Sequence, residues 1–346
     1  MAFVRTIFFV CIFSFAGIAL SAQEAVHVIK AQDVDKNAMP TQKWIGFLSK
    51  FSFSPYYSSN MGLGVALGYA PSKDMAIVGN ITSKGYALLG VKGNRLSKGG
   101  KLKFNYNAYY GFTPVHFWGT GYLNGNDNSN KMRYDKQYVD LQGGFVYYTG
   151  KKFYLGPSVG YEHVGLEKFG SSNYFKLGFT AGYDSRNNAA AAERGINAVL
   201  KQRYYIGKFA GTAFVFDTYC PVWRGGVLAF DLYSEFTYSQ VPWYEMPSIG
   251  GSYRMRGYYK GRYRDNNMVT AQLEIRQHIW EIFSAAAWVG AGNVWGSGGA
   301  FSFRHTLPNY GIGFRIKTGS AMALRFDWGF GKKGQNGFIL GINEAF

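Results

Sequence analysis

The 346-residue chain carries 37 Lys and Arg against 20 Asp and Glu, a net charge of +17, and is 18% aromatic with 46 glycines. Beyond one apolar stretch near the N-terminus it has no apolar run of about 20 residues, which excludes a helical membrane protein. The positive charge invites a nucleic-acid reading, but no basic tract with interleaved aromatics supports one, and no nucleic-acid partner is expected.

The first elements in chain order are an address and a spacer. Arg5 precedes an apolar run over residues 7–20, too short to span a bilayer, and Ser21-Ala22-Gln23 offers a small-residue cleavage point. Residues 1–22 are expected to be a signal peptide, 23–46 a short periplasmic N-terminal segment and 47–346 a β-barrel. Cys11 lies inside the apolar run and not at a junction, so no lipoprotein signal is read. After cleavage only Cys220 remains and no internal disulfide can form.

From residue 47 onward the chain alternates. In residues 62–69 Leu63, Val65, Leu67 and Tyr69 share one face and Gly62, Gly64, Ala66 and Gly68 the other. In 137–149, Val139, Leu141, Phe145 and Tyr147 oppose Asp140, Gln142 and Gly144; in 228–238, Leu228, Phe230, Leu232 and Phe236 oppose Asp231, Tyr233 and Glu235. An acid facing lipid costs about 2 kcal/mol or more at mid-bilayer, so the polar set must line the interior. Soluble sandwiches and propellers alternate similarly; the leader and the terminal Phe346 favour a closed membrane barrel.

Such segments fall near 47–55, 62–69, 75–83, 86–94, 102–110, 137–149, 152–162, 173–183, 195–205, 210–219, 226–238, 268–279, 284–294, 308–318, 321–330 and 337–345. That is an all-β fold, an antiparallel transmembrane barrel of about 16 strands, the even number that hairpin closure requires. Residues 111–136, with the polar stretch NGNDNSNKMRYDK, are expected to be a surface loop or a strand extension above the membrane.

Between the eleventh and twelfth strands lies GGSYRMRGYYKGRYRDNN, residues 250–267, leading into a strand with Gln272, Glu274 and Arg276 opposite Leu273 and Ile275. Its Met255-Arg256-Gly257-Tyr258 motif resembles the VRGF or LRGY loop of the BamA/TamA family of outer-membrane proteins, also called bacterial surface antigens. WVGAGNVW (288–295), NYGIGFRIKT, LRFDWGFG and the ending GINEAF resemble the family's last strands, and YDSRNN (183–188) its Asp-x-Arg hairpin. The resemblance implies a loop folded into the lumen with Arg256 paired to the inner wall, and Gly341 and Phe346 in a C-terminal assembly signal. Where the family has an Asp, this chain has Gly290, so the partner of Arg256 must be another acid: Glu274, Asp231 or Asp327. A guanidinium in a low-dielectric tube needs such a carboxylate.

The resemblance also implies outer-membrane protein assembly or translocation. Members that do this carry periplasmic POTRA domains, and residues 23–46 are too few for one, so clients are expected to be handled by separate periplasmic or envelope partners, or by the barrel's own seam between first and last strands. A passive channel and a structural, partner-binding barrel stay open. Barrel-assembly machinery is expected to insert the chain, and Lys98, Lys101, Lys103, Lys151 and Lys152 to pair with lipopolysaccharide. His27, His116, His163, His278 and His305 are scattered, with no HExxH and no serine nucleophile elbow. No enzyme activity, cofactor or metal is expected.

Overall fold

Strict two-residue alternation in lipid leaves one solution, a sheet with no open edge. The structure, a computed structural model, describes residues 50–150, 152–299, 301–317 and 323–346. The expected signal peptide, the segment 23–46, residues 47–49 of the first expected strand, and Lys151 lie outside the described residues. The strands are β1 (Phe51–Ser58), β2 (Gly62–Ser72), β3 (Met75–Thr82), β4 (Ala87–Leu96), β5 (Leu102–Phe117), β6 (Met132–Tyr148), β7 (Phe153–Leu166), β8 (Gly170–Asp184), β9 (Gly195–Tyr205), β10 (Phe209–Trp223), β11 (Gly226–Tyr238), β12 (Ser248–Ile249), β13 (Tyr263–Arg264), β14 (Asn267–Trp280), β15 (Phe283–Trp295), β16 (Leu307–Lys317), β17 (Ala323–Gly331) and β18 (Asn336–Ile342). Sixteen of them close into one antiparallel barrel, and β12 pairs with β13 as a separate ribbon within the β11–β14 connection.

Burial follows the expected faces. Leu63, Leu67, Leu141 and Phe145 point outward and are exposed, while Ala66 and Asp231 point inward and are fully buried. The molecule is inside out relative to a water-soluble domain. Its largest fully buried side chains are Arg256, Arg315 and Arg325, whereas Val289, Ile312 and Trp328 lie on its surface. An apolar exterior is what hydrocarbon solvates, and the interior arginines persist only because acids accompany them.

One open expectation is resolved and one needs correction. Of the loop and the strand extension expected for residues 111–136, both occur: segment 102–110 opens β5 and 137–149 covers the later part of β6, and the two strands pair from Leu102 with Tyr147 to Phe117 with Met132. Beyond the apolar band no lipid enforces alternation, so His116, Arg133 and Asp135 left the extension's bounds open. A short helix, α1 (Gly121–Gly125), caps this hairpin. At the other end the expected strand 337–345 stops at Ile342. Asn343 adopts φ 66° and the chain leaves the wall.

Closure is uneven. The register between β1 and β18 comprises Tyr57 with Leu340 and Ser58 with Ile339, with Ser59 N–H donating to the Phe338 carbonyl at 3.2 Å just beyond. The hairpin turns holding Lys98, Lys101 and Lys152 lie at the barrel end where β1 begins and β18 finishes.

Candidate functional site

The connection from β11 to β14 crosses the interior between opposite walls. On the first wall, Trp243 stacks on Phe117 of β5 at 4.3 Å, Glu245 accepts from Lys136 of β6 at 3.0 Å, and the Tyr244 and Tyr174 hydroxyls are 2.8 Å apart. Ser248–Ile249 and Tyr263–Arg264 then fasten the segment into its own hairpin. Ile249, Met255, Tyr258 and Tyr263 build an apolar cluster with Met268, Val294 and Leu307 of the second wall. Burying these side chains inside a polar tube drives the segment inward.

At the second wall the loop's arginine is clamped. Arg256 donates to Glu274 of β14, and at 2.7 Å to Asp327 of β17. Its guanidinium carbon lies 3.6 Å from the ring centre of Trp288 on β15. Trp288 Nε1 donates to Asn309 Oδ1 at 3.0 Å, and Asn309 Nδ2 donates to the Arg256 carbonyl. The ring covers the face of the guanidinium and the two acids take its two terminal nitrogens. The loop backbone reaches this depth because both chains lack a Cβ there. A Cβ at Gly329 would sit 2.2 Å from the Arg256 carbonyl oxygen, and one on Gly257, with φ +105°, would meet the Gly329 carbonyl at 2.5 Å.

The other motif residues share the anchorage. Met255 N–H donates to Gln272 Oε1 at 3.2 Å, and the Tyr258 hydroxyl donates to the Pro308 carbonyl at 2.6 Å. Among the candidate partners, Glu274 and Asp327 lie on Arg256, whereas Asp231 accepts from Arg254 at 2.7 and 2.9 Å. Gly290 faces inward beside Gln272, where a Cβ would meet the Gln272 Cγ at 2.8 Å. The acid absent at that position is supplied from β14 and β17.

The site extends further than the loop motif suggested. Arg315 of β16 donates to Asp327 at 2.6 Å and to Glu344 at 2.8 Å. Arg325 donates to Asp327 and to the Ser252 carbonyl, at 2.9 and 2.8 Å. Arg276 donates to Glu274 at 2.7 Å and to the main-chain oxygen of Phe346 at 2.9 Å. Gly341 remains in β18, opposite Arg325, while the Phe346 ring lies 5.2 Å from the Arg276 guanidinium, off any strand. Arg254, Arg315, Arg325 and Glu344 had not been singled out, and Arg276 only as a polar-face residue of its strand. Strand parity was the available signal, since each strand arginine alternates with outward apolar residues and had to face inward. In the YDSRNN turn Arg186 bonds Asp184 through both Nε and Nη2, at 3.1 and 3.0 Å. Among the described residues no group of three or more His, Cys, Asp or Glu side chains could hold a metal ion.

An apolar outer band around an ionic interior, with a loop clamped to the inner wall, defines a transmembrane β-barrel of the bacterial outer membrane. A family model described as the Omp85 superfamily domain matches residues 16–346, and the chain belongs to that superfamily. Among solved structures it resembles BamA from Haemophilus ducreyi lacking POTRA domains 1–3, at 16% identity and a TM-score of 0.65, covering 85% of this chain and 70% of that one. CdiB from Escherichia coli matches at 12% identity and TM-score 0.61, and CdiB from Acinetobacter baumannii at 12% and 0.55, each over 85% of this chain. The chain spans 63% and 60% of those two CdiB chains, and at these identities the likeness is one of fold. No curated protein matches the sequence.

Proposed function

We propose that this barrel inserts or translocates polypeptides at the outer membrane, that separate periplasmic subunits deliver its clients, and that the β1–β18 seam is where a client strand enters. The short seam register, which among the described residues comprises Tyr57 with Leu340 and Ser58 with Ile339, carries the reading. Backbone amides facing hydrocarbon have no water to bond, so an incoming strand gains most where the resident ladder is least complete.

A cleaved leader would deliver the chain from the periplasm, setting the end with Phe346 on that side. Lys98, Lys101 and Lys152 then meet the periplasmic leaflet, and lipopolysaccharide contacts fall to the opposite rim. Assembly machinery inserts the barrel itself, and no catalytic step is part of this reading. A passive channel has the polar interior in its favour, and the loop crossing that interior against it.

Cysteines in place of Tyr57 and Leu340 test the seam. Oxidised, the double variant should stay folded by heat-modifiable migration yet stop inserting a small outer-membrane barrel into proteoliposomes, with recovery on reduction. Undiminished insertion by the oxidised protein would sink the proposal.

A further inference from the structure

Residues 343–346 occupy a built cradle. Past Ile342 the chain turns in at Asn343, and the Glu344 N–H donates to the Ala190 carbonyl at 3.1 Å. The Glu344 carboxylate accepts from Arg315 at 2.8 Å and lies 3.6 Å from Arg276. Arg276 also grips the main-chain oxygen of Phe346, and the Phe346 ring packs against the cluster of Ala192, Tyr219, Val227 and Ala229. The cradle thus reads three features of a peptide: a side-chain carboxylate, a main-chain oxygen two residues on, and an aromatic side chain.

Charge shows what the cradle lacks without the tail. Arg256, Arg276, Arg315 and Arg325 are linked to Glu274, Asp327 and Glu344. Remove Glu344 and four buried guanidiniums face two carboxylates, a deficit that an arriving carboxylate relieves. The walls of the cradle also hold donors that lack a hydrogen-bond partner. Arg315 Nη2 and Ser284 Oγ are buried without a hydrogen-bond partner, and Ser284 lines a cavity of about 380 Å³ that opens beside Glu344 and Arg276. The cradle is larger than its present occupant and has donors to spare.

We propose that this cradle is a binding site for an acidic-aromatic peptide segment, which the chain's own residues 343–346 fill in cis and can vacate. Detachment returns the end of β18 toward β1, so its consequence for the seam rests on the function proposed above. The site itself does not.

The test uses a barrel truncated after Ile342, the intact barrel, and two fluorescent acetylated peptides, NEAF and NQAF. NEAF should bind the truncated protein about tenfold or more tighter than the intact one, and NQAF should lose about tenfold, the worth of a buried charge-assisted hydrogen bond. Equal binding of both peptides, or equal binding by both proteins, overturns the proposal. If the truncated barrel does not fold, full-length Glu344→Gln protein, whose tail is held less firmly, carries the same comparison and should bind NEAF more tightly than the unaltered protein does. Seam crosslinking reports separately, so failure of the peptide site and failure of the seam reading are distinguishable.

Discussion

Arg276 and Glu274, two residues apart on one face of β14, are joined side chain to side chain at 2.7 Å, and Glu274 is also the partner of the loop's Arg256. Through this pair the loop and the C-terminal tail share one ionic network. Asp327 and Arg315 close a second path between them, with bonds of 2.7, 2.6 and 2.8 Å from Arg256 to Asp327 to Arg315 to Glu344. A change at either end is therefore felt at the other.

Truncating Arg256 strips a fully buried guanidinium from two fully buried acids. Arg256→Ala should destabilise the barrel by about 3–5 kcal/mol, the usual result of breaking a buried pair from one side. Arg254→Ala should cost less, because that side chain is 28% exposed and water can take its place on Asp231. Urea unfolding in micelles, followed by tryptophan fluorescence, ranks the two; equal losses would mean that the Arg256 clamp is no stronger than the peripheral one.

The contact between Gly257 and Gly329 makes a steric prediction of opposite design, since no charge changes. Gly329→Val puts a side chain where the Arg256 carbonyl now sits and should expel the loop while leaving the strands intact. Trypsin would then cut after Arg254 or Arg256 in the variant and not in the unaltered barrel. A protected loop in the variant would show that β17 shifts to accommodate it.

The architecture was legible in the sequence because lipid enforces a period of two, which survives in residues such as Leu63, Gly64 and Val65 without knowledge of neighbouring strands. The arginine of the loop was legible from its motif. Its partners were narrowed to three acids but no further, since the choice between Asp231 and Asp327 depends on which strands lie across the interior. Local spacing holds no such information. The inward turn at Asn343 was hidden for a similar reason: Glu344 leaves the wall to meet Arg315 and Arg276, and those belong to β16 and β14.

The tail should respond to acid. Burial alone would raise the Glu344 carboxyl, but the Arg315 and Arg276 guanidiniums outweigh it and hold it below the ordinary 4.5. A depressed carboxyl contributes its full stabilisation above that ordinary value and loses it as pH falls through the lowered one. Tail docking should therefore be flat from neutrality down to about 4.5 and weaken only below it. A fluorophore at residue 345 reports this. Glu344→Gln should abolish the acid step and leave the tail loosened at every pH, whereas a step that persists in that variant assigns it to another group.

The loop's span between opposite walls sets the permeability of the barrel. Trp243, Tyr244 and Glu245 hold one side on β5, β6 and β8, and Arg256 holds the other on β14 and β17. The hairpin of Ser248–Ile249 with Tyr263–Arg264 stiffens the span, and Tyr263 is tied to Asn126 beyond α1 at 3.0 Å. With a strap fixed at both ends, the intact protein should give little or no steady conductance in planar bilayers. Replacing residues 242–264 by a short Gly-Ser linker removes both anchors and should produce large openings. Arg256→Ala, which frees one end only, should flicker between the two levels. Large steady openings from the unaltered barrel would overturn this account of the loop and restore the passive channel.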